Sequence, residues 1–111
     1  LVGFPMPMPR DRRLVALCTA LLNEPDSPET IREWCVRLGM SERTLARLFQ
    51  RQTGESFGRW RQRIRLLHAR GQLEAGQNVT AVALNCGYAS VSAFIAAFKK
   101  LFGRTPGQIA R

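Results

Sequence analysis

Acidic side chains are absent from the sequence after Glu74, although basic side chains continue to its end. The 111 residues include 17 Lys and Arg against 8 Asp and Glu, which gives a formal net charge of +9. Most of the acids lie early, among them Glu24, Asp26, Glu29 and Glu33. Such an asymmetric and strongly basic balance favours a binding face for a polyanion, whether DNA, RNA or an anionic membrane surface.

Cysteine and histidine are scarce, and their spacing excludes several classes of protein. The three cysteines, Cys18, Cys35 and Cys86, form no CxxC pair, and His68 is the only histidine. Neither a zinc site nor a disulfide framework is expected, and we predict buried free thiols in a reducing cytoplasm. The sequence has no Ser/His/Asp or Cys/His arrangement, metal-ligand cluster or phosphate loop. We therefore expect no enzyme, no metal and no cofactor.

Long apolar runs are also missing, and the chain opens on a proline-rich segment. No stretch approaches the ~20 apolar residues that a membrane span needs, and no secretory signal is present. Pro5, Pro7 and Pro9 exclude a helix at the start, so residues 1–9 are predicted to be an extended linker that follows another domain.

The remaining residues, 10–111, have the apolar periodicity of helices and no alternating strand pattern, which predicts an all-α fold. Thr30 with Glu33 has the pattern of a capping box, and Ser41, Ser90 and Thr105 are predicted helix caps. The segment 76–78 (GQN) is interpreted as the stop of the longest helix. Helices are expected at about 10–23, 30–38, 42–52, 56–75 and 80–85, then from 91, with a short last one starting at Pro106.

A unit of helix, glycine turn, capped helix and glycine stop occurs twice. Trp34-Cys35 and Gly39 correspond to Val82-Ala83 and Gly87, and the segment 41–54 corresponds to 90–103. This pattern is typical of a helix-turn-helix. We predict a first motif at about 30–54, a linker helix at about 56–75 and a second motif at about 79–103. A linker ~27–30 Å long could hold two recognition helices about one duplex turn, ~34 Å, apart.

The motifs also carry a family resemblance over residues 30–111. The residues that carry it are 39–49 (GMSERTLARLF) in the first motif and, in the second, Val82-Ala83, Gly87-Tyr88, Ser92, Phe94, Phe98-Lys99-Lys100, Phe102-Gly103 and Thr105-Pro106. On these residues the segment resembles the DNA-binding domain of the AraC/XylS family of bacterial transcription regulators.

The resemblance implies a seven-helix domain whose two recognition helices read double-stranded DNA in successive major-groove segments. Because the two motifs differ in sequence, the promoter site should be asymmetric. The resemblance further implies a cytoplasmic, nucleoid-associated regulator with no membrane partner, RNA polymerase as a partner if it is an activator, and an effector or dimerisation domain that this sequence lacks. The alternative on charge alone is a basic helical module for RNA or anionic membranes.

The first recognition helix presents four residues away from its apolar stripe: Arg43, Ala46, Arg47 and Gln50. Arg43 and Arg47 lie one turn apart and match positions from which members of the family touch bases. Either could bind guanine O6 and N7 through two hydrogen bonds, which is worth ~1–3 kcal/mol of discrimination. The alternative for one or both is a contact to phosphate only.

The second recognition helix departs from this pattern. Its predicted base-reading residues are Val91, Ser92, Ile95 and Ala96, and the family often has arginine where Ala96 stands. We therefore expect the first motif to carry most base specificity, with apolar contacts to thymine methyls in the second. Phosphate contacts are expected from basic side chains and from helix caps with free backbone N–H groups: Thr30, Ser41, Arg51, Arg59, Ser90, Lys99, Lys100 and Arg104.

Overall fold

The computed structural model describes residues 6–110, and every regular element within this range is an α-helix. The predicted all-α fold with seven helices is confirmed, and the predicted bounds differ only at the helix ends. No described helix combines the length and the apolar character needed to cross a membrane. In chain order the helices are α1 (Arg12–Asn23), α2 (Ile31–Leu38), α3 (Glu42–Thr53), α4 (Phe57–Glu74), α5 (Val79–Asn85), α6 (Val91–Phe102) and α7 (Pro106–Ile109).

The chain divides into two compact units, unit 1 (Leu1–Ile64) and unit 2 (Arg65–Arg111). In unit 1, α1, α2, α3 and the first part of α4 enclose an apolar core. The fully buried ring of Phe49 meets the rings of Phe57 and Trp60 edge-on, at centroid distances of 5.4 and 5.9 Å. Each such pair contributes about 0.5–1.5 kcal/mol to stability beyond the contribution of the buried area.

The described residues before α1 pack against the core of unit 1. Residues 6–9 have no regular secondary structure, and Pro9 is buried. The indole N–H of Trp60 donates a hydrogen bond of 2.9 Å to the carbonyl of Pro7. Residues 6–9 of the predicted linker are therefore held on the core, whereas residues 1–5 lie outside the described part of the chain.

In unit 2, the second part of α4 and helices α5, α6 and α7 enclose a separate apolar core. Phe94 and Phe98 have no exposed surface, and their ring centroids lie 5.6 Å apart. Phe98 also contacts Phe102 at 4.6 Å, and Tyr88 meets Phe94 edge-on at 6.1 Å. Of these contacts, that of Tyr88 joins α6 to the turn before it, whereas the other two lie within the helix.

The cysteines lie inside the two cores, so the predicted burial is confirmed. Cys18 and Cys35 belong to the core of unit 1, and Cys86 to that of unit 2. Burial raises the pKa of the Cys18 thiol to about 12. The Cys86 thiol donates a weak hydrogen bond of 3.6 Å to the carbonyl of Arg65.

Candidate nucleic-acid interface

Helix α3 turns one face into unit 1 and the opposite face to solvent, as the 3.6-residue repeat of its apolar residues dictates. Leu45 and Phe49 are completely buried on the inner face. Ser41 fixes where the helix begins, because its Oγ accepts a hydrogen bond of 3.0 Å from the backbone N–H of Thr44. The outer, exposed face carries all four residues predicted to read bases: Arg43, Ala46, Arg47 and Gln50.

The two exposed arginines of α3 hold charge that the protein does not neutralise. Arg43 and Arg47 stand four residues apart and so lie on the same helix face. Neither forms an ion pair or a side-chain hydrogen bond with any residue from 6 to 110. A guanidinium in this state presents a planar set of donors that matches guanine O6 and N7 or a phosphate.

Helix α6 repeats this arrangement in unit 2 with a much less polar outer face. Ser92, Ile95 and Ala96 are exposed, with Ile95 at 36% of its surface. Val91 is half-buried and packs against the core of unit 2, so its predicted outward position is only partly correct. Apart from one hydroxyl, this face offers methyl groups, which suit thymine better than a hydrogen-bonding base edge.

Exposed cations stand at the ends of the helices. Arg51 lies in the last turn of α3, Arg59 in the first turn of α4, and Lys99 and Lys100 in the last turn of α6. None of these four forms an ion pair within the part of the chain that the structure describes. Arg104 is also exposed and donates one hydrogen bond of 3.1 Å to a backbone carbonyl of α7.

Two other arginines of α4 act inside unit 1. The Nη2 of Arg63 pairs with the Glu55 carboxylate at 2.8 Å. Arg61 is buried and donates to the backbone carbonyls of Ser27, at 3.0 Å, and of Glu29. Arg61 therefore fastens the α1–α2 connection to α4. The alternation of arginines in the sequence does not reveal which of them face inward, since their carbonyl partners come from tertiary packing.

The predicted free backbone N–H groups are found at two of the three helix caps proposed to bind phosphate. Within residues 6–110, the backbone N–H groups of Ser41 and Ser90 donate to no protein acceptor, so both stay open to a phosphate. At Thr30 the prediction of a free N–H is wrong. Its N–H and its hydroxyl both donate to Glu33 Oε1, at 3.3 and 3.1 Å. The capping box uses these donors internally and places a carboxylate where a phosphate would have to bind.

The sequence pattern does not predict the cap of α5, because Asn78 is interpreted there as part of the stop of the preceding helix. Its Oδ1 accepts a hydrogen bond of 3.1 Å from the backbone N–H of Ala81 and caps α5. Asn78 follows Thr30 at the same spacing as Val82 follows Trp34. The internal repeat therefore contained the signal for this cap.

The glycine turns that separate the paired helices take the conformation that their role requires. Gly39, with φ 69°, ends α2, and Gly87, with φ 86°, follows α5. Other residues adopt this left-handed region only at a cost. At Gly87 there is a second constraint, since an added Cβ would lie 2.7 Å from Nη1 of Arg65.

A comparison with known protein families identifies the family to which this chain belongs. A family model described as a helix-turn-helix domain matches residues 34–111, the part of the chain that contains α3 and α6. The chain belongs to this AraC-type helix-turn-helix family.

Two named relatives are bacterial regulators that are much longer than this chain. The HTH-type transcriptional regulator NimR of Escherichia coli K12 is 49% identical over 80 residues, which cover 71% of this chain and 29% of NimR. The HTH-type transcriptional regulator RipA of Corynebacterium glutamicum is 35% identical over 102 residues, covering 92% of this chain and 30% of RipA. The chain thus spans about three tenths of the relatives it matches. Their names are those of regulators, not enzymes, as predicted.

Solved structures agree with this membership. A probable AraC family transcriptional regulator from Rhodopseudomonas palustris superposes with a TM-score of 0.73 at 31% identity, over 82% of this chain and 87% of that one. The DNA-binding domain of AdpA, solved in complex with a target DNA, superposes with a TM-score of 0.73 at 28% identity, over 84% and 85%. The predicted fold and family are confirmed.

Proposed function

We propose that this chain is a sequence-specific DNA-binding domain of a transcription regulator and that α3 and α6 enter the major groove. The observation that carries the proposal is the pair of exposed, unpaired guanidinium groups of Arg43 and Arg47 on the outer face of α3. A net charge of +9 supplies the general attraction to a duplex. The related domain of AdpA, solved with a target DNA, supports the same reading.

In this proposal α3 provides most of the base discrimination. Arg43 and Arg47 donate to guanine O6 and N7, and Gln50 is suited to the N6 and N7 of adenine. The small side chain of Ala46 lies between them on the exposed face and allows the helix backbone to approach the base edges. Each two-bond contact contributes about 1–3 kcal/mol of preference for the correct base.

Helix α6 contributes anchoring and apolar contacts. Ile95 and Ala96 face thymine methyl groups and Ser92 offers a hydroxyl to a base edge, while Lys99 and Lys100 in the last turn bind phosphate. The remaining proposed phosphate contacts are Ser41, Arg51, Arg59, Ser90 and Arg104. Because α3 and α6 present different residues, the site on DNA is asymmetric and consists of two successive major-groove segments.

The test is the selection of bound duplexes from a random pool, followed by measurements on two variants. Arg47→Ala should lower the discrimination at one or two base pairs of the selected site, because it removes a base contact. Lys99→Ala should weaken binding to all duplexes alike, because it removes a phosphate contact. The division between α3 and α6 fails if both variants behave alike.

The same selection also tests the DNA assignment itself. A DNA-binding domain should prefer its selected duplex over bulk DNA at about 150–200 mM salt. A basic module for RNA or for anionic membranes would instead show no preferred duplex and would be displaced by double-stranded RNA or by anionic vesicles. Either displacement without a preferred duplex contradicts the proposal.

The whole regulator is proposed to contain more than this chain, since NimR and RipA are more than three times longer than the part matched. We propose that it works in the bacterial cytoplasm at the nucleoid, where duplex DNA is found. An effector or dimerisation domain would control it, and RNA polymerase would be its partner if it activates transcription. A pull-down of RNA polymerase on promoter DNA, with and without the protein, tests the last point.

A further inference from the structure

Unit 1 has a surface pocket that the proposed DNA contacts do not use. It has a volume of about 290 Å³ and lies where the end of α1, the α1–α2 connection and α2 meet. This volume is at the lower end of small-molecule sites, ~300–1,000 Å³. The lining residues are Ala20, Asn23, Glu24, Ser27, Glu29, Trp34 and Arg37.

The aromatic wall of the pocket carries a buried donor without an acceptor. Trp34 is 6% exposed, and its indole N–H is buried and has no hydrogen-bond acceptor among residues 6–110. The other indole N–H, of Trp60, donates to the carbonyl of Pro7 at 2.9 Å. A buried donor without an acceptor costs about 1–3 kcal/mol. An oxygen atom bound in the pocket would remove this cost at Trp34.

The polar wall of the pocket is acidic, in contrast to the rest of the chain. The carboxylate of Glu29 pairs with Arg37 at 2.7 Å, and the guanidinium of Arg37 lies 4.5 Å from the centroid of the Trp34 ring. Glu24 forms no ion pair with any described residue. The lining therefore has two carboxylates and one guanidinium, and this excess of negative charge beside an aromatic ring favours a cation.

We infer that this pocket binds a small organic cation that carries an ammonium group and a hydroxyl or carbonyl oxygen in one molecule. The ammonium group is held by the carboxylates of Glu24 and Glu29, and the oxygen accepts the indole N–H of Trp34. Arg61 holds the connection that forms one wall, because it donates to the carbonyls of Ser27 and Glu29. The inference is independent of DNA binding, since none of the proposed DNA contacts lines the pocket.

The experiment is a titration of the ¹⁵N-labelled chain with three isosteric probes, followed through the indole N–H signals of Trp34 and Trp60. 4-Aminobutan-1-ol has both the ammonium and the oxygen, pentylamine lacks the oxygen, and butane-1,4-diol lacks the charge. We expect a saturable downfield shift of the Trp34 signal with 4-aminobutan-1-ol only, because a new hydrogen bond deshields the proton. The Trp60 signal, whose hydrogen bond is already made, should not move.

Two isosteric variants distinguish an effect of the carboxylate in the pocket from a general effect of net charge. Glu24→Gln should weaken binding of 4-aminobutan-1-ol about three- to tenfold, as expected for the loss of one charge-assisted contact. Glu33→Gln is the matched control, because Glu33 does not line the pocket and glutamine also serves in a capping box. It should leave the affinity unchanged.

Four results would overturn the inference. Absence of a saturable Trp34 shift means that the pocket holds water only. An equal shift with butane-1,4-diol means that the charge has no role, and an equal shift with pentylamine means that the oxygen has none. Equal weakening by Glu24→Gln and Glu33→Gln would show a general effect of net charge, with no site at this place.

Discussion

The proposed phosphate contacts make a quantitative prediction about salt. Replacement of Lys99 by alanine removes one exposed, unpaired cation from the last turn of α6. If this cation binds a phosphate, its loss reduces the number of counterions that binding releases from the duplex. The affinity of the variant should therefore depend less steeply on salt than that of the natural sequence, for every duplex tested.

The expected salt dependence of the affinity is calculated from the exposed cations that are proposed to bind phosphate. Five cations are proposed to meet phosphates, and about 0.9 counterions released for each give a slope of log affinity against log salt of about −4.5. A rise from about 50 to 200 mM salt then lowers the affinity about 500-fold. Lys99→Ala should bring the slope to about −3.6. The five side chains are Arg51, Arg59, Lys99, Lys100 and Arg104.

The assay is fluorescence anisotropy with a labelled duplex over a series of salt concentrations. Arg13→Ala is the matched control, because it changes the net charge by the same amount. Arg13 lies on α1, outside the proposed interface, and already pairs with Asp11 at 3.0 Å. Its replacement should leave the slope unchanged.

Two results would refute the reasoning. An identical slope for Lys99→Ala and the natural sequence would show that Lys99 touches no phosphate. An equal reduction by Arg13→Ala would show that the protein responds to total charge, with no defined set of contacts. Either result would remove Lys99 from the proposed phosphate contacts of α6.

Three further predictions concern the cores and α6. Phe98→Leu should destabilise unit 2 by about 1–3 kcal/mol through lost aromatic contacts. It should lower the urea midpoint followed by circular dichroism but not the midpoint followed by fluorescence, since both tryptophans lie in unit 1; equal shifts would contradict separate cores. The raised pKa of Cys18 keeps its thiol protonated where the unfolded chain, with a pKa of 9.0, ionises. The free energy of unfolding should therefore fall as the pH rises from about 9 to 12, and Cys18→Ala should show a smaller fall; an unchanged pH slope would contradict this. Ala96→Arg, at the repeat position of Arg47, should add about 1–3 kcal/mol of preference at one base pair in a new selection; unchanged selected sites would exclude α6 from the groove.

The local features of the fold could be predicted from the sequence because they depend on neighbouring residues. The capping box of Thr30 and Glu33 and the cap at Ser41 form within one helical turn, so their residue types and spacing suffice. Gly39 ends α2 because the turn requires a left-handed residue. The burial of Leu45 follows from the helical period alone.

Several features that the sequence did not predict depend on contacts between distant residues. The segment 6–9 is held on unit 1 because Trp60 offers a donor to the carbonyl of Pro7, and nothing in the prolines indicates that partner. Likewise, Arg61 points inward because its guanidinium donates to two backbone carbonyls of the α1–α2 connection. Val91 is half-buried since the core of unit 2 reaches the first turn of α6.

The repeat also explains why the two recognition helices can differ so much outside while remaining alike inside. Leu45 and Phe49 of α3 correspond to Phe94 and Phe98 of α6, and all four are completely buried. Packing restricts these positions to large apolar side chains, because a lost or added group in a dense core costs stability. The outer positions carry no such restriction, so an arginine in α3 can correspond to an alanine in α6 without any change in the fold. The asymmetry proposed for the DNA site is therefore a property of exposed side chains alone.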